Sequence, residues 1–180
     1  MSEFDSVTEE FIRGLASEGL TTAANMITRL GSGKVEGLIW LIIICFLIFL
    51  KKRYLDAIFV TISCGGGWRL NYMLKWTFKR ERPLYENIAQ VDGFSFPSGH
   101  AMVGTAFYGM VGFLIWDHLR RQGKPAWPIA VITTIFLLVL GLTRIYLGVH
   151  YTSDVLAGYI AGGAWLAVCI VVLTKLRNKI

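Results

Sequence analysis

A short glycine-containing turn, Gly93–Met102, stands between a basic segment and a long apolar run, and its residue types suit phosphate chemistry. Pro97 can occupy the first position of a helix, where its missing N–H is not needed. Ser98, Gly99 and His100 would then lie on the first turn, whose unpaired N–H groups can bind an anion. A histidine beside such a site suggests proton transfer to or from a phosphate ester. Alone, the turn fits an ordinary helix start with a surface histidine better than it fits an active site.

A second group of chemically capable residues comprises Arg144, His150 and Asp154. Asp154 follows His150 by four residues, which is one turn if both lie on a helix. The carboxylate could then accept a hydrogen bond from the imidazole, fix its tautomer and leave the other ring nitrogen free to attack. The guanidinium of Arg144 suits phosphate oxygens. Alone, the His150–Asp154 pair also fits a structural hydrogen bond.

A third, basic group precedes the glycine turn and comprises Lys75, Lys79, Arg80 and Arg82, followed by Pro83. Such residues can also extend along apolar surface to the membrane interface without further function. His118 provides an internal comparison, since it lies beside Asp117 and far along the chain from the three groups.

The composition is that of an integral membrane protein. The 180 residues are 54% hydrophobic and 17% charged, against about 25% charged in a soluble domain, and the mean hydropathy is +0.55. We therefore expect one membrane-embedded domain over residues 1–180. The net charge of +6 then reports membrane topology and does not indicate nucleic acid. The three cysteines lie in apolar runs at spacings that match no metal site.

Five apolar segments predict an all-α, polytopic membrane helical bundle. They run from about 35 to 50, 54 to 78, 98 to 116, 127 to 145 and 152 to 173, and each is about long enough to cross a bilayer core of roughly 30 Å. Residues 1–33 are acidic and carry apolar residues at helical spacing, without the pattern of a signal peptide. They predict one or two amphipathic helices at the membrane surface or packed on the bundle.

The basic residues predict the orientation. If the spans alternate, the basic stretches at 51–53, 120–124 and 175–179 share one side, which should be cytoplasmic together with the C-terminus. The loops at 79–97 and 144–151 then face outward with residues 1–33. Their basic residues violate the usual bias, and an anionic substrate would explain them. Five spans also place the N-terminus outside without an export signal, so we expect that a leading span precedes this chain or was removed.

In order and spacing, the three groups resemble the motifs of the type 2 phosphatidic acid phosphatase superfamily, also called lipid phosphate phosphatases. Its first motif is lysine, six residues, Arg-Pro, found here from Lys75 to Arg82-Pro83. Its second, Pro-Ser-Gly-His, occupies 97–100, and its third, Ser-Arg, five residues, His, three residues, Asp, occupies 143–154 with Thr143 in place of serine. The family's bundle usually has six spans, one more than the five counted here.

The resemblance implies a role for each matching residue. His150 would be the nucleophile that takes the phosphoryl group, with Asp154 orienting it. His100 would protonate the leaving group and then activate water. The phosphate would be held by three cationic side chains and two backbone groups: Lys75, Arg82, Arg144, Ser98 and Gly99. Phosphoryl transfer needs mainly positioning and charge, so we expect no metal or cofactor, activity that survives EDTA, and inhibition by vanadate.

The expected substrate is a membrane lipid phosphate in the outer leaflet of the cell membrane. Phosphatidylglycerol phosphate, a polyprenyl diphosphate such as undecaprenyl diphosphate, and phosphatidic acid all fit, because the motifs bind the phosphate and not the tail. An anion transporter or channel would spread its charges through the membrane depth, where Arg69 is the main charge seen here. An inactive lipid-binding relative would lack reacting residues, yet every such position is filled. The oligomeric state is left open.

Overall fold

The computed structural model describes residues 3–83 and 92–179, and these residues form seven helices and no strand. The helices are α1 (Glu3–Gly14), α2 (Glu18–Arg29), α3 (Gly33–Cys45), α4 (Tyr54–Phe78), α5 (Gly99–Arg121), α6 (Trp127–Tyr146) and α7 (Thr152–Arg177). A π-helical turn, Phe46–Leu50, extends α3. The predicted all-α bundle is confirmed.

The predicted N-terminal amphipathic segment forms α1 and α2, which pack on the bundle. Helix α1 contacts α6 and α7, and α2 contacts α6. Ser17 caps α2 by accepting a hydrogen bond from the N–H of Leu20. In α1, Phe4, Val7 and Phe11 are exposed, whereas Asp5 is buried. An apolar outer face on a helix packed against a membrane bundle suits the interfacial layer of a bilayer.

Helices α3 to α7 lie where the five apolar segments predicted them, with longer ends. Helix α5 continues to Arg121 and α7 to Arg177. Four of the helices, namely α3 with its π-helical turn, α5, α6 and α7, are long and apolar enough to cross a membrane. Helix α4 has 25 residues and carries Asp56, Arg69 and Lys75, so a fifth span there stays a prediction.

Helix α5 lies at the centre of the bundle and packs against α4, α6 and α7. Its residues Val103, Phe107 and Met110 are almost completely buried. Helix α7 approaches α5 closely because a Cβ added at Gly162 would lie 2.4 Å from the backbone carbonyl oxygen of Met102. Small residues thus let these two helices pack closely, as membrane helices commonly do.

One end of the bundle is joined by ion pairs. Arg177 at the end of α7 pairs with Asp56 near the start of α4 and with Asp117 near the end of α5, the latter at 2.7 Å. Arg53 also pairs with Asp56. Three of the basic stretches predicted to share one side therefore do meet at one end of the molecule, and the three chemical motifs lie at the other.

Candidate active site

The loop before α7 holds the histidine that the sequence marks as a nucleophile. Helix α7 begins at Thr152, so His150 precedes it, and the expectation that His150 and Asp154 share a helix is wrong. The pair still meets, because Asp154 lies on the first turn of α7 and its Oδ2 atom is 3.4 Å from Nδ1 of His150. Oδ2 also accepts a hydrogen bond from the N–H of Tyr151 at 2.9 Å, which fixes the carboxylate.

The contacts of His150 define its tautomer. Nη1 of Arg82 lies 3.2 Å from Nε2 of His150. A guanidinium has only donors, so Nε2 accepts and carries the lone pair. The ring proton then belongs on Nδ1, facing Asp154. The side chain therefore presents a nucleophilic Nε2 toward a cation.

Burial keeps His150 neutral. Its side chain is 3% exposed and that of Asp154 is fully buried. Removal from water lowers the pKa of His150 to about 3, since the opposing effect of Asp154 is smaller and the nearby charges of Arg82, Arg144 and Lys75 lower it further. At neutral pH the imidazole is thus unprotonated, as a nucleophile must be.

Arg82 is held in place by the loops around it. Its Nη1 donates to the carbonyl oxygen of Val149 at 2.8 Å, and its Nε donates to that of Gly93 at 3.0 Å. Burial also lowers the pKa of this guanidinium, against the opposing effects of Asp154 and Asp92. Few of its donors face open water, so its charge is directed at His150 and the space beside it.

The start of α5 differs in detail from its prediction. Helix α5 begins at Gly99, with Ser98 as its N-cap, so Pro97 precedes the helix. The N–H of Ser98 donates to the carbonyl oxygen of Asp154 at 3.0 Å, and it is therefore not available to a phosphate as expected. The Ser98 hydroxyl is buried and has no partner among the described residues, so this hydroxyl is the group that can bind an anion. Gly99 keeps its place on the first helical turn, whose N–H groups lack intrahelical partners.

Helix α2 brings His100 and Arg144 together through Thr28. Nε2 of His100 lies 3.0 Å from the carbonyl oxygen of Thr28, and because a carbonyl only accepts, Nε2 donates. Nδ1 is then the atom of His100 that can exchange a proton. Nη1 of Arg144 donates to the Thr28 hydroxyl at 2.6 Å. Thr28 is a site residue that no sequence pattern indicated.

Lys75 reaches the site through the loop after α4. Its ammonium group donates to the carbonyl oxygens of Phe94 and Ser95, the latter at 3.2 Å. Ser95 in turn donates hydrogen bonds to the backbone carbonyl oxygens of Arg80 and Glu81. In the described contacts Lys75 therefore orders the loop that carries Arg82 and does not touch the other predicted site residues directly.

Arg80 and Asp5 form a second layer behind the His150–Asp154 pair. Nη1 of Arg80 donates to Oδ1 of Asp154 at 2.7 Å, and its Nη2 donates to Asp5 at 2.8 Å. Asp5 is 1% exposed and also accepts from the N–H of Ser153 at 2.9 Å. From the sequence, Arg80 was only one of several outer basic residues, and its position within the first motif was the available signal. Asp5 had none.

Three buried polar atoms of the predicted residues lack hydrogen-bond partners in the described part of the chain. They are the Ser98 hydroxyl, Nε of Arg144 and Nδ1 of His150. Unsatisfied buried polar groups are rare and need an explanation. The Nδ1 atom faces Asp154 at 3.4 Å, whereas Ser98 and Arg144 can both donate to an oxyanion. The arrangement suits a tetrahedral phosphate placed beside Nε2 of His150.

Comparison with known proteins finds relatives that are named as phosphatases. Phosphatidylglycerophosphatase B of Bacillus subtilis is 31% identical over 136 residues, which are 76% of this chain and 66% of that protein. A putative undecaprenyl-diphosphatase, YbjG, of Escherichia coli is 31% identical over 111 residues, 59% of this chain and 49% of that protein. This chain therefore spans from about half to about two thirds of the length of these curated relatives.

A solved structure extends the similarity to the whole described fold. The crystal structure of a transmembrane PAP2 type phosphatidylglycerolphosphate phosphatase from Bacillus subtilis superposes with a TM-score of 0.87 at 26% identity, covering 98% of this chain and 85% of that one. The model of the PAP2 superfamily matches residues 41–178, which include all three motifs. Because this match extends over most of the chain, the protein belongs to the PAP2 superfamily.

Proposed function

We propose that this protein is an integral membrane lipid phosphatase that hydrolyses a phosphomonoester or diphosphate of a membrane lipid through a phosphohistidine. The observation that carries the proposal is the buried His150, which presents a neutral Nε2 beside Arg82 while Nδ1 faces Asp154. The relatives named as lipid phosphatases support the same class of reaction.

In the first step, Nε2 of His150 attacks the phosphorus atom, and the bond between phosphorus and the lipid oxygen breaks. His100, protonated on both ring nitrogens once the phosphate is bound, gives its Nδ1 proton to that oxygen while Nε2 stays hydrogen-bonded to Thr28. The alcohol or lipid phosphate therefore leaves in protonated form. Asp154 stabilises the positive charge that develops on the ring of His150. Arg82, Arg144 and Lys75, with the Ser98 hydroxyl and the N–H of Gly99, offset the charge on the transferring phosphoryl group.

In the second step, the now neutral His100 takes a proton from water, and the oxygen of that water attacks the phosphorus atom. The bond to Nε2 breaks, inorganic phosphate leaves and His150 is restored. Three cationic side chains supply the charge that a metal ion supplies in other phosphatases. We therefore expect activity that survives EDTA and is blocked by vanadate.

The site lies at the bundle end opposite the ion pairs of Arg177. With the basic stretches on the cytoplasmic side, this end faces outward and the C-terminus lies inside. The substrate would be a lipid phosphate in the outer leaflet of the cell membrane, phosphatidylglycerol phosphate or undecaprenyl diphosphate as the names of the relatives suggest, with phosphatidic acid as the alternative.

The test is phosphate release from detergent-solubilised protein against phosphatidylglycerol phosphate, phosphatidic acid and undecaprenyl diphosphate. His150→Ala or Asp154→Asn should remove nearly all turnover, by about 10³-fold or more, as expected for members of one catalytic unit. His118→Ala is the matched control, because His118 is exposed and its Nε2 atom lies 2.8 Å from Nε2 of Gln122, far from the site. Turnover by His150→Ala at the wild-type rate would contradict the proposal.

A further inference from the structure

A narrow cavity begins one helical turn below the proposed phosphate site, between α3, α4 and α5. Its volume is about 270 Å³, and its walls include Gly33, Trp40, Trp68 and Val103. Val103 follows His100 by three residues on α5, or about 4.5 Å along the helix axis. A tail attached to a phosphate at the site would therefore enter this cavity first.

The start of α3 connects the cavity with the catalytic residues. A Cβ added at Gly31 would lie 2.5 Å from the imidazole ring of His100, so the chain passes directly against that ring. Two residues later Gly33 already lines the cavity. At Gly37 and Gly65 a Cβ would meet nothing within 4 Å, which leaves the lower part of the cavity open toward lipid.

Glu36 is the one acidic residue that lines this cavity in the described part of the chain. It is 4% exposed, and its Oε1 atom has no hydrogen-bond partner among the described residues. A buried carboxyl oxygen without a partner is costly, and an ionisable residue within a membrane helix commonly marks a functional site. Here the missing partner would belong to whatever fills the cavity.

We propose that Glu36, whose buried carboxyl group stays protonated, donates its O–H to an ester carbonyl of a glycerolipid, so that this phosphatase prefers glycerolipid phosphates to polyprenyl diphosphates. In a glycerolipid phosphate, ester oxygens lie a glycerol unit beyond the phosphate, and Glu36 lies three residues beyond Gly33, or about 4.5 Å along α3. The chain of a polyprenyl diphosphate is hydrocarbon from its first carbon and offers no acceptor. A site that hydrogen-bonds one substrate discriminates strongly against an analogue that lacks the group.

This inference rests on the proposed function, and the experiment separates the two. The protein in detergent micelles is assayed with diacyl phosphatidic acid, its dialkyl ether analogue, which lacks the ester carbonyls, and farnesyl diphosphate. Release from none of these lipids by the wild type would contradict the proposed function itself. Release from the diphosphate at a higher kcat/KM than from the diacyl lipid would overturn the inference alone.

The variants Glu36→Leu and Glu36→Gln then test the hydrogen bond. For Glu36→Leu we expect kcat/KM to fall about tenfold on the diacyl lipid, and to stay within about twofold on the ether lipid and the diphosphate. Glu36→Gln keeps a donor at the same position and should retain most of the diacyl preference. An equal loss on all three lipids, which a merely structural role would produce, overturns the inference. An unchanged kcat/KM of Glu36→Leu on the diacyl lipid also overturns the inference.

Discussion

At the scale of single residues, the proposed chemistry depends on the removal of His150 from water. Burial keeps the ring neutral, as nucleophilic attack requires. It also makes the free energy of unfolding depend on pH. The folded-state pKa is lowered to about 3, while an unfolded chain has a histidine pKa of about 6.5. Between these values the unfolded state binds a proton that the folded state does not.

The free energy of unfolding should therefore fall as the pH decreases from about 6.5 toward about 3. We expect His150→Gln to weaken this pH dependence, because glutamine does not titrate. Thermal unfolding of detergent-solubilised protein between pH 7.5 and pH 4.5, in buffers of about equal ionic strength, measures the effect. His118→Gln is the control and should keep the wild-type slope. The same slope in all three proteins would contradict the assigned burial.

At the scale of elements, the N-terminal helices contribute to the site as well as to the membrane surface. Helix α2 supplies Thr28 to both His100 and Arg144. Helix α1 supplies Asp5 to Arg80, which binds Asp154. Because Arg80 is shared between two carboxylates, the three groups together keep one negative charge next to His150.

Replacing Asp5 by asparagine should remove the net negative charge that Asp5, Arg80 and Asp154 together place beside His150. In Asp5→Asn, Arg80 would be neutralised by Asp154 alone, and the carboxylate would stabilise the ring of His150 less. We expect kcat to fall about tenfold with little change in KM, since a hydrogen bond to a charged group is lost away from the substrate. Steady-state kinetics on a lipid phosphate measure the effect. Glu10→Gln, an exposed acid on the same helix, should behave like wild type, and an unchanged kcat in Asp5→Asn would contradict this role.

The sequence predicts the long helices well, because apolar runs bounded by basic residues leave few other structures in a membrane. It also indicates the three motifs, whose residues meet although 79 positions separate Lys75 from Asp154 at the end of the third motif. It does not indicate Asp5 or Thr28, because their roles arise from tertiary contacts and neither lies at a recognisable spacing from the motifs. The N-cap at Ser98 was missed for a similar reason, since its N–H is used by the carbonyl of Asp154.

At the scale of the whole molecule, the two ends of the bundle have different tasks. The end that carries Arg177 joins α4, α5 and α7 by ion pairs, while the opposite end carries the three motifs of the proposed site. Charge is thus concentrated at both ends, with a largely apolar core around Phe107 and Met110 between them. This separation predicts that stability and catalysis can be changed independently.

Arg177→Met should lower the stability without changing the chemistry. The variant leaves the buried Asp56 with Arg53 alone and removes a partner of Asp117. We expect a loss on the order of 3 kcal/mol in the free energy of unfolding, read as a lower melting temperature, with kcat and KM near wild type below that temperature. Arg120→Met provides the control, because Arg120 is exposed. A large change in kcat with an unchanged melting temperature would contradict the separation of the two ends.

The most direct test of the central claim is to trap the phosphoryl group on His150. A lipid phosphate labelled with ³²P is mixed with the protein and quenched with alkali, in which phosphohistidine survives, and a matched sample is treated with acid, which hydrolyses it. The account predicts alkali-stable, acid-labile label on the wild-type chain, more label in His100→Asn, where the second step lacks its base, and none in His150→Ala. Label that persists in His150→Ala, or turnover without label on any variant, would contradict it.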